Sequence, residues 1–393
     1  MIGDGWDNEP SIRPSSGEPR AEGTPRRIAV VTGSRAEFGL LRPVMTAIHQ
    51  QGTLELAVIA AGSHLILPAE TFREVKAHFK IADIVPMQIA GKHGREEDVE
   101  SVARGLARFG RTFQKLRPDW VVVLGDRIEA FAAAAAASIG GFPLAHIHGG
   151  DRAEGVADEA MRHAITKLAH LHFPATAQSA DRLRRMGERA ETVIEVGSPA
   201  VDGLADVPNL PPSDFQSLGS PTTIFLMHPI GRSAEVEEAD AARILAAMGS
   251  AHVLALAPNH DAGRTGIAKA ISEWGGRALE HLPRDQFVGL LKHLAATKGV
   301  LIGNSSAGLI EAAVLGVPVV DIGRRQAGRE RTEAVIHIDT PDEAAIRRAI
   351  AAAQAAPVAG HPYGDGHAGK RIAAALARTE PGESAILRKR NSY

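Results

Sequence analysis

No cysteine occurs in the 393 residues. That excludes disulfides, thiolate zinc sites and cysteine nucleophiles together, and it fits a reducing cytoplasm better than a secreted, cross-linked scaffold. A strong charge bias is also missing. With 44 Lys and Arg against 46 Asp and Glu, the formal net charge is -2, which provides no electrostatic footprint for nucleic acid or an anionic membrane. An anion bound by this chain must therefore be held by a local site. No apolar run reaches the roughly 18 residues needed to span a bilayer; the longest candidate, AFAAAAAASIGGF at 130–142, is Ala-rich and broken by glycines. Residues 1–25, rich in Gly, Pro, Ser and charge, lack the basic start and apolar core of a signal peptide and read as a disordered tail. No nucleotide-binding GxGxxG fingerprint is present, and GSRAEFG at 33–39 is a poor substitute, which disfavours nicotinamide or flavin binding.

What is present is a globular composition, 44% hydrophobic and 23% charged, in a chain whose length suits two domains of about 150 to 200 residues each. Short β-branched runs alternate with helical patterns. In the first half the runs are RIAVVTG (27–33), LELAVIAAG (54–62), DWVVVLG (119–125), PLAHIHG (143–149) and TVIEVG (192–197). After a Pro-rich break at 207–221 the rhythm resumes with TTIFLMH (222–228), HVLALAP (252–258), GVLIGN (299–304), PVVDIG (318–323) and AVIHI (334–338), with helices expected near 234–248, 285–296, 306–315 and 341–354. Such alternation predicts an α/β protein of two doubly wound parallel sheets with a cleft between them. The expected division is a tail at 1–25, an N-terminal Rossmann-like domain at 26–205, a linker at 206–221, a C-terminal nucleotide-binding domain at 222–365, and a C-terminal helix and tail at 366–393.

In doubly wound sheets the loops after the strand C-termini line the ligand crevice, and the polar clusters of this chain fall there. They are Ser34 and Arg35, Asp126 and Arg127, His148 to Asp151, His228, Asn259 to Asp261, and Asn304 to Ser306. In GNSSAGLIEAAVLGVP (303–318), Ser305 and Ser306 can cap a helix whose free N–H groups would cradle a phosphate, with Gly308 in its first turn. Glu311, five residues beyond Ser306, could accept from a ribose hydroxyl pair, and one or two of Arg324, Arg325, Arg329 and Arg331 could clamp a phosphate. A capped helix and a solvated arginine face are the bland alternatives. The HxH at 146–148 could ligate zinc, but no third and fourth ligand has a recognisable spacing, so no metal and no cofactor are expected. Asp158 and Arg162, at i and i+4, would ordinarily be a helical ion pair of small consequence. Asp126 at a strand end beside Arg127 is either half of a structural pair or a base, and His228, before Pro229, should face the first domain.

Taken together, VVTGSRAEFGLLRP, VVVLGDRIEAFAAA, HIHGGDRAEGVADEAMRHAITKLAHLHF, APNHDAG, GNSSAGLIEAAVLGVPVVDIGRRQAGRERT and HPYGDGHA resemble the hydrolysing UDP-N-acetylglucosamine 2-epimerases of the bacterial sialic-acid-pathway type, over residues 27 to 378. The resemblance implies a GT-B-like pair of Rossmann-type domains and a metal-free reaction in the cleft. UDP would be lost by elimination across C1–C2 of the sugar, and water would add to the resulting glycal to release N-acetylmannosamine. By the same resemblance, Asp126 and Asp158 are acid/base carboxylates and His228 lies near the diphosphate. Arg35, Asn259, Ser305, Ser306, Glu311 and Arg325 are nucleotide contacts, while Arg162 and His163 line the sugar side. His148 stands where several members carry Glu; the imidazole could shuttle a proton, or Asp151 could supply the carboxylate. A homodimer is expected by family analogy. The competing expectations are a nucleotide or nucleotide-sugar hydrolase that does not invert C2, a glycosyltransferase, and a non-catalytic sugar-nucleotide sensor.

Overall fold

The computed structural model describes residues 23–66, 71–92, 94–152, 158–259, 263–358, 360–381, 389, 391 and 392. Most of the expected tail, His260 and Asp261, and the side chain of Asp158 lie outside the described residues.

The first lobe runs β1 (Arg26–Thr32), α1 (Arg35–Gln50), β2 (Leu54–Ala61), α2 (Phe72–His78), β3 (Ile81–Val85), α3 (Arg95–Leu116), β4 (Trp120–Leu124), α4 (Ile128–Ile139), β5 (Leu144–Ile147), α5 (Asp158–Leu168), β6 (Leu171–Phe173) and α6 (Ala177–Arg185). The second runs α7 (Pro212–Ser217), β7 (Thr223–Leu226), α8 (Ala234–Met248), β8 (Val253–Leu256), α9 (Arg264–Trp274), β9 (Arg277–Leu279), α10 (Arg284–Thr297), β10 (Val300–Gly303), β11 (Val319–Ile322), β12 (Val335–Ile338) and α11 (Glu343–Ala355). A final helix, α12 (Ala368–Arg378), follows.

Each lobe holds a six-stranded sheet, all of whose named pairings are parallel, ordered β3-β2-β1-β4-β5-β6 in one and β12-β11-β10-β7-β8-β9 in the other. Read from its own first strand, the second sheet repeats the order of the first, the doubly wound order whose direction reverses between strands one and four. The fold is thus α/β and GT-B-like. Its two switch points lie between β1 and β4 and between β7 and β10.

Parallel strands covered on both faces need apolar side chains on both, and the central strands supply them. Ile28, Val30, Trp120 and Val122 enter one layer with α1, whereas the alternate residues Ala29, Val31, Val121 and Val123 enter the other with α3 and α4. The second lobe divides in the same way, with Phe225 and Ile302 in one layer and Ile224 and Leu301 in the other. The alanine run of α4 is buried against the sheet and α3, so it is core and not a membrane segment. No helix among the described residues is long and apolar enough to cross a membrane.

Four details differ from the sequence reading. TVIEVG (192–197) is not a strand: a 3-10 turn, Ala190–Thr192, leads into a single bridge from Val193 to His172. The edge strand is β6, three residues that the sequence reading did not mark as a strand. Two further edge strands, β3 and β9, went unread because their side chains are largely half-buried or exposed. The Pro-rich break contains α7, begun by Pro212 at a position where a missing N–H costs nothing. Finally, α12 returns to the first lobe. Ile372, Ala373 and Leu376 join the α1 core layer, and the carboxylate of Asp202 accepts from the free N–H groups of Ala368 and Gly369 at 2.9 and 2.7 Å.

Candidate active site

At the switch point of the first sheet, Gly125 takes a left-handed φ of 75° after β4 and turns the chain so that Asp126 is partly exposed at the crevice and Arg127 stands at the N-terminal boundary of α4. Asp126 Oδ2 accepts from Arg162 Nη2, a guanidinium on α5 that is almost wholly buried. Arg162 Nη1 also donates to the carbonyl of His148 at 2.9 Å. The arginine expected to pair locally with Asp158 therefore ties the loop after β4 to the loop after β5. His163 on α5 approaches Glu159 at 3.4 Å.

The two histidines of the HxH do not share a face. His146 is buried in β5 between Gly125 O at 2.8 Å and Thr166 Oγ1 at 3.1 Å, and burial above all pushes its imidazole down to about 3. His148 leaves the strand with a φ of 62°, a left-handed conformation that costs a β-substituted residue about 1–3 kcal/mol. Its ring is buried between Asp151 Oδ2, 3.1 Å from Nδ1, and Ser198 Oγ, 3.0 Å from Nε2. Asp151 Oδ1 accepts from Ser179 Oγ at 2.8 Å. Burial alone would raise the Asp151 carboxyl; the charge and hydrogen bond of His148, with Arg329 and Arg162, outweigh it and hold the group well below the usual range. Among the described residues no group of three or more His, Asp or Glu has a metal-holding arrangement.

Two residues that sequence reasoning missed lie beneath the same edge. Glu129 is fully buried under the turns after β1 and β2, where a Cβ on Gly33 would fall 2.5 Å and one on Gly62 2.4 Å from its side chain. It takes hydrogen bonds from Gln88 Nε2 at 2.8 Å and Arg127 Nε at 3.3 Å. Glu37 accepts from Gly33 N–H at 2.7 Å, and burial chiefly, helped by the charge of Glu129, lifts it to about 8. Ser34 caps α1 by accepting from Glu37 N–H, so Ser34-x-x-Glu37 is a variant of the capping box, a signal that was readable in the sequence. Arg35, the first residue of α1, pairs with Glu74 at 3.0 Å and is close enough to His281 across the cleft to depress it, after burial, to about 4.

The second switch point is built differently. Asn304, after β10, accepts from His228 N–H at 2.7 Å and donates through Nδ2 to His228 O at 2.8 Å, locking the loop after β7 in place. The Asn259 N–H donates to His228 Nδ1 at 3.2 Å. That nitrogen must therefore be the acceptor, and the ring proton sits on Nε2, 3.3 Å from Ser305 Oγ. Burial, then the charge of Arg325, pushes His228 down to about 3. It is a neutral N–H donor at working pH. Ser305 and Ser306 open a helical turn that passes into a π-helical segment, Gly308–Ala312, in which Gly308 packs on Val319 and Glu311 faces Arg284 at 3.6 Å. Arg325 Nη1 donates to Asn304 O at 3.3 Å. Arg331, by contrast, is committed to Asp321 at 2.8 Å. Arg329 reaches across to Arg152 O at 2.8 Å, and Arg182 of the first lobe donates to Gly328 O at 3.0 Å. Together these bonds hold the two crevices face to face.

The model of one family, described as UDP-N-acetylglucosamine 2-epimerase, matches residues 46–377. The chain belongs to that family. It is 36% identical over 387 residues to the UDP-N,N'-diacetylbacillosamine 2-epimerase (hydrolyzing) of Legionella pneumophila, covering 94% of this chain and 100% of that one. To the UDP-N-acetylglucosamine 2-epimerase of Neisseria meningitidis serogroup B it is 32% identical over 330 residues, 80% of this chain and 84% of the relative. Among solved structures, the Neisseria meningitidis UDP-GlcNAc 2-epimerase bound to UDP-GlcNAc superposes with a TM-score of 0.74 at 18% identity, covering 90% of this chain and 100% of that one, a likeness of fold.

Proposed function

We propose that this member of the family is a hydrolysing 2-epimerase of a UDP-linked 2-acetamido sugar. One observation carries the reading: acidic side chains gather at the first switch point, while the second presents the neutral N–H donor His228, the hydroxyls of Ser305 and Ser306, and the cation Arg325. A departing diphosphate needs donors and positive charge where its own charge develops. A carbon-bound proton needs carboxylates or imidazole within reach.

In this reading His228, Ser305, Ser306 and Arg325 hold the diphosphate, Asn259 and Glu311 contact the nucleoside, Gly308 gives the turn room, and Arg35 closes the mouth of the cleft. The C1–O bond to UDP breaks, the C2–H bond gives its proton to a first-lobe carboxylate, and C1=C2 forms. Water then delivers hydroxyl to C1 while C2 regains a proton from the opposite face. Asp126, Asp158, His148 and Asp151 are the acid/base groups, with Arg162 orienting Asp126 and with Arg127 and His163 beside them. No metal or cofactor enters the scheme. The full-length likeness to a diacetylbacillosamine enzyme favours a substrate with a second acetamido group over UDP-N-acetylglucosamine itself. A homodimer in the cytoplasm completes the reading.

Incubation of the purified chain with UDP-N-acetylglucosamine and with UDP-N,N'-diacetylbacillosamine, with released UDP and free sugar quantified, tests it. Release of UDP together with the C2-inverted sugar from at least one substrate is expected, and the ratio of kcat/KM values identifies the preferred one. Absence of UDP release from both would overturn the proposal.

A further inference from the structure

Ser198 belongs to none of the polar clusters that the sequence pattern marks, yet it occupies the point where the chain leaves the first lobe. Its N–H donates to Tyr363 O, at 2.9 Å, on the segment that returns from the second lobe to α12. Beside it Gly197 and Gly364, with φ of 87° and 89°, touch so closely that a Cβ on Gly364 would lie 2.8 Å from the Gly197 Cα. A side chain at Gly364 would collide with the facing backbone, and one at Gly197 would be strained by its left-handed φ and by contacts of 3.1 Å. Ser198 is thereby held by both crossover segments, and its side chain is almost fully buried.

From that anchor the hydroxyl reaches into the first lobe's crevice. Its oxygen accepts from Ala200 N–H at 3.2 Å and lies 3.0 Å from His148 Nε2. The opposite ring nitrogen meets Asp151 Oδ2 at 3.1 Å, and Asp151 Oδ1 is already an acceptor from Ser179. The proton positions follow. An acceptor-only carboxylate places a proton on His148 Nδ1, and the Ser198 oxygen, which accepts from Ala200 N–H, can turn its hydroxyl proton toward Nε2. The Nδ1 atom that accepts in His228 thus donates in His148. The order carboxylate, imidazole, hydroxyl is that of a hydrolase triad, but Ser198 is sealed at the crossover and orients the ring instead of attacking a substrate.

We propose that Ser198 is a positioning residue whose hydroxyl, placed by the meeting of the two crossover segments, fixes the ring orientation and tautomer of His148. The inference rests on the reading that His148 takes part in proton handling. Its consequence is that the proton-transfer wall is assembled only when the lobes stand as they do here, because Ser198 moves with the crossover and His148 with the first sheet.

Two readouts on the full chain test it, using Ser198→Ala and, as the hydroxyl-retaining variant, Ser198→Thr. Nitrogen-15 imidazole NMR, with the His148 signal assigned by its loss in His148→Gln, should show a ring protonated at Nδ1 and the same Nε2 environment in the wild type and in Ser198→Thr, and a changed tautomer balance in Ser198→Ala. In steady-state kinetics Ser198→Ala should lose about ten-fold or more in kcat with KM within about two-fold of wild type, and Ser198→Thr should recover most of the loss. A Ser198→Ala protein with the wild-type tautomer, whatever its kcat, overturns the proposal. Should Ser198→Ala not fold, Ser198→Cys, which keeps the volume but donates weakly, is read by the same criteria. A wild type that turns over no UDP-sugar would sink the functional reading alone, since the NMR result still judges the role of Ser198.

Discussion

Asp126 and Glu37 are both carboxylates at the same sheet edge, and their surroundings give them different tasks. Asp126 is partly exposed and held by Arg162, whereas Glu37 is buried, accepts from a backbone N–H and is raised to about 8. Asp126→Asn keeps the size of the side chain and removes its basicity. It should cost about 10²–10⁴ in kcat while UDP affinity, measured by calorimetry, stays within about two-fold of wild type. Glu37 should report on stability instead. Its folded value lies above the ordinary 4.5, so between 4.5 and about 8 the folded chain binds more protons than the unfolded one and stability falls as pH rises. Glu37→Gln does not titrate and still accepts from Gly33. The difference in thermal midpoint, variant minus wild type, should therefore grow steadily across that window; a constant difference would show that Glu37 is not the group responsible. At this scale the sequence was partly legible. Asp126, His228, Ser305 and Arg325 were marked because they follow strands, whereas Glu129 and Ser198 were not, since one hides in an alanine-rich helix and the other in a loop that neither period marks. Arg162 was read with its helical neighbour; its described partners, Asp126 and the carbonyl of His148, lie 36 and 14 residues earlier in the chain.

The elements that position the site were the most readable part of the molecule. Strands buried on both faces are continuous β-branched runs and announce themselves; β3, β6 and β9 sit at or beside sheet edges, are short and carry mixed side chains, so no run or alternation separated them from loops. The strand ends impose their own constraint on composition. Gly303, the last residue of β10, has a φ of 147°, and a Cβ there would lie 2.0 Å from Leu226 O on β7. Gly303→Ala must push β10 off β7, the strands that lead into Asn304 and His228. A loss of about 2 kcal/mol or more of stability is expected, measurable by denaturant unfolding, together with a loss of UDP affinity greater than that caused by Asp126→Asn. Unchanged UDP binding in a folded Gly303→Ala protein would mean that the β7–β10 switch point does not hold the nucleotide.

Across the whole molecule, two copies of one doubly wound topology face each other, and the proposed reading divides the work of a single site between them. The second lobe offers the neutral donor His228 and the cation Arg325. The first offers the carboxylates and imidazole to which that reading gives the proton handling, and the crossover at Ser198 and Tyr363 links the two. The doubled rhythm of strands and helices was visible in the sequence, but the return of α12 to the first lobe was not, because no local pattern reveals which lobe a terminal helix will cover. The division of labour makes a claim about one carbon atom. With the sugar nucleotide turned over in D2O and the released sugar examined by proton NMR and mass spectrometry, elimination followed by hydration must place one solvent deuteron on C2 of an inverted product. A freed sugar that retains its original C2 proton and configuration would contradict proton handling by the first lobe and leave only hydrolysis of the diphosphate linkage.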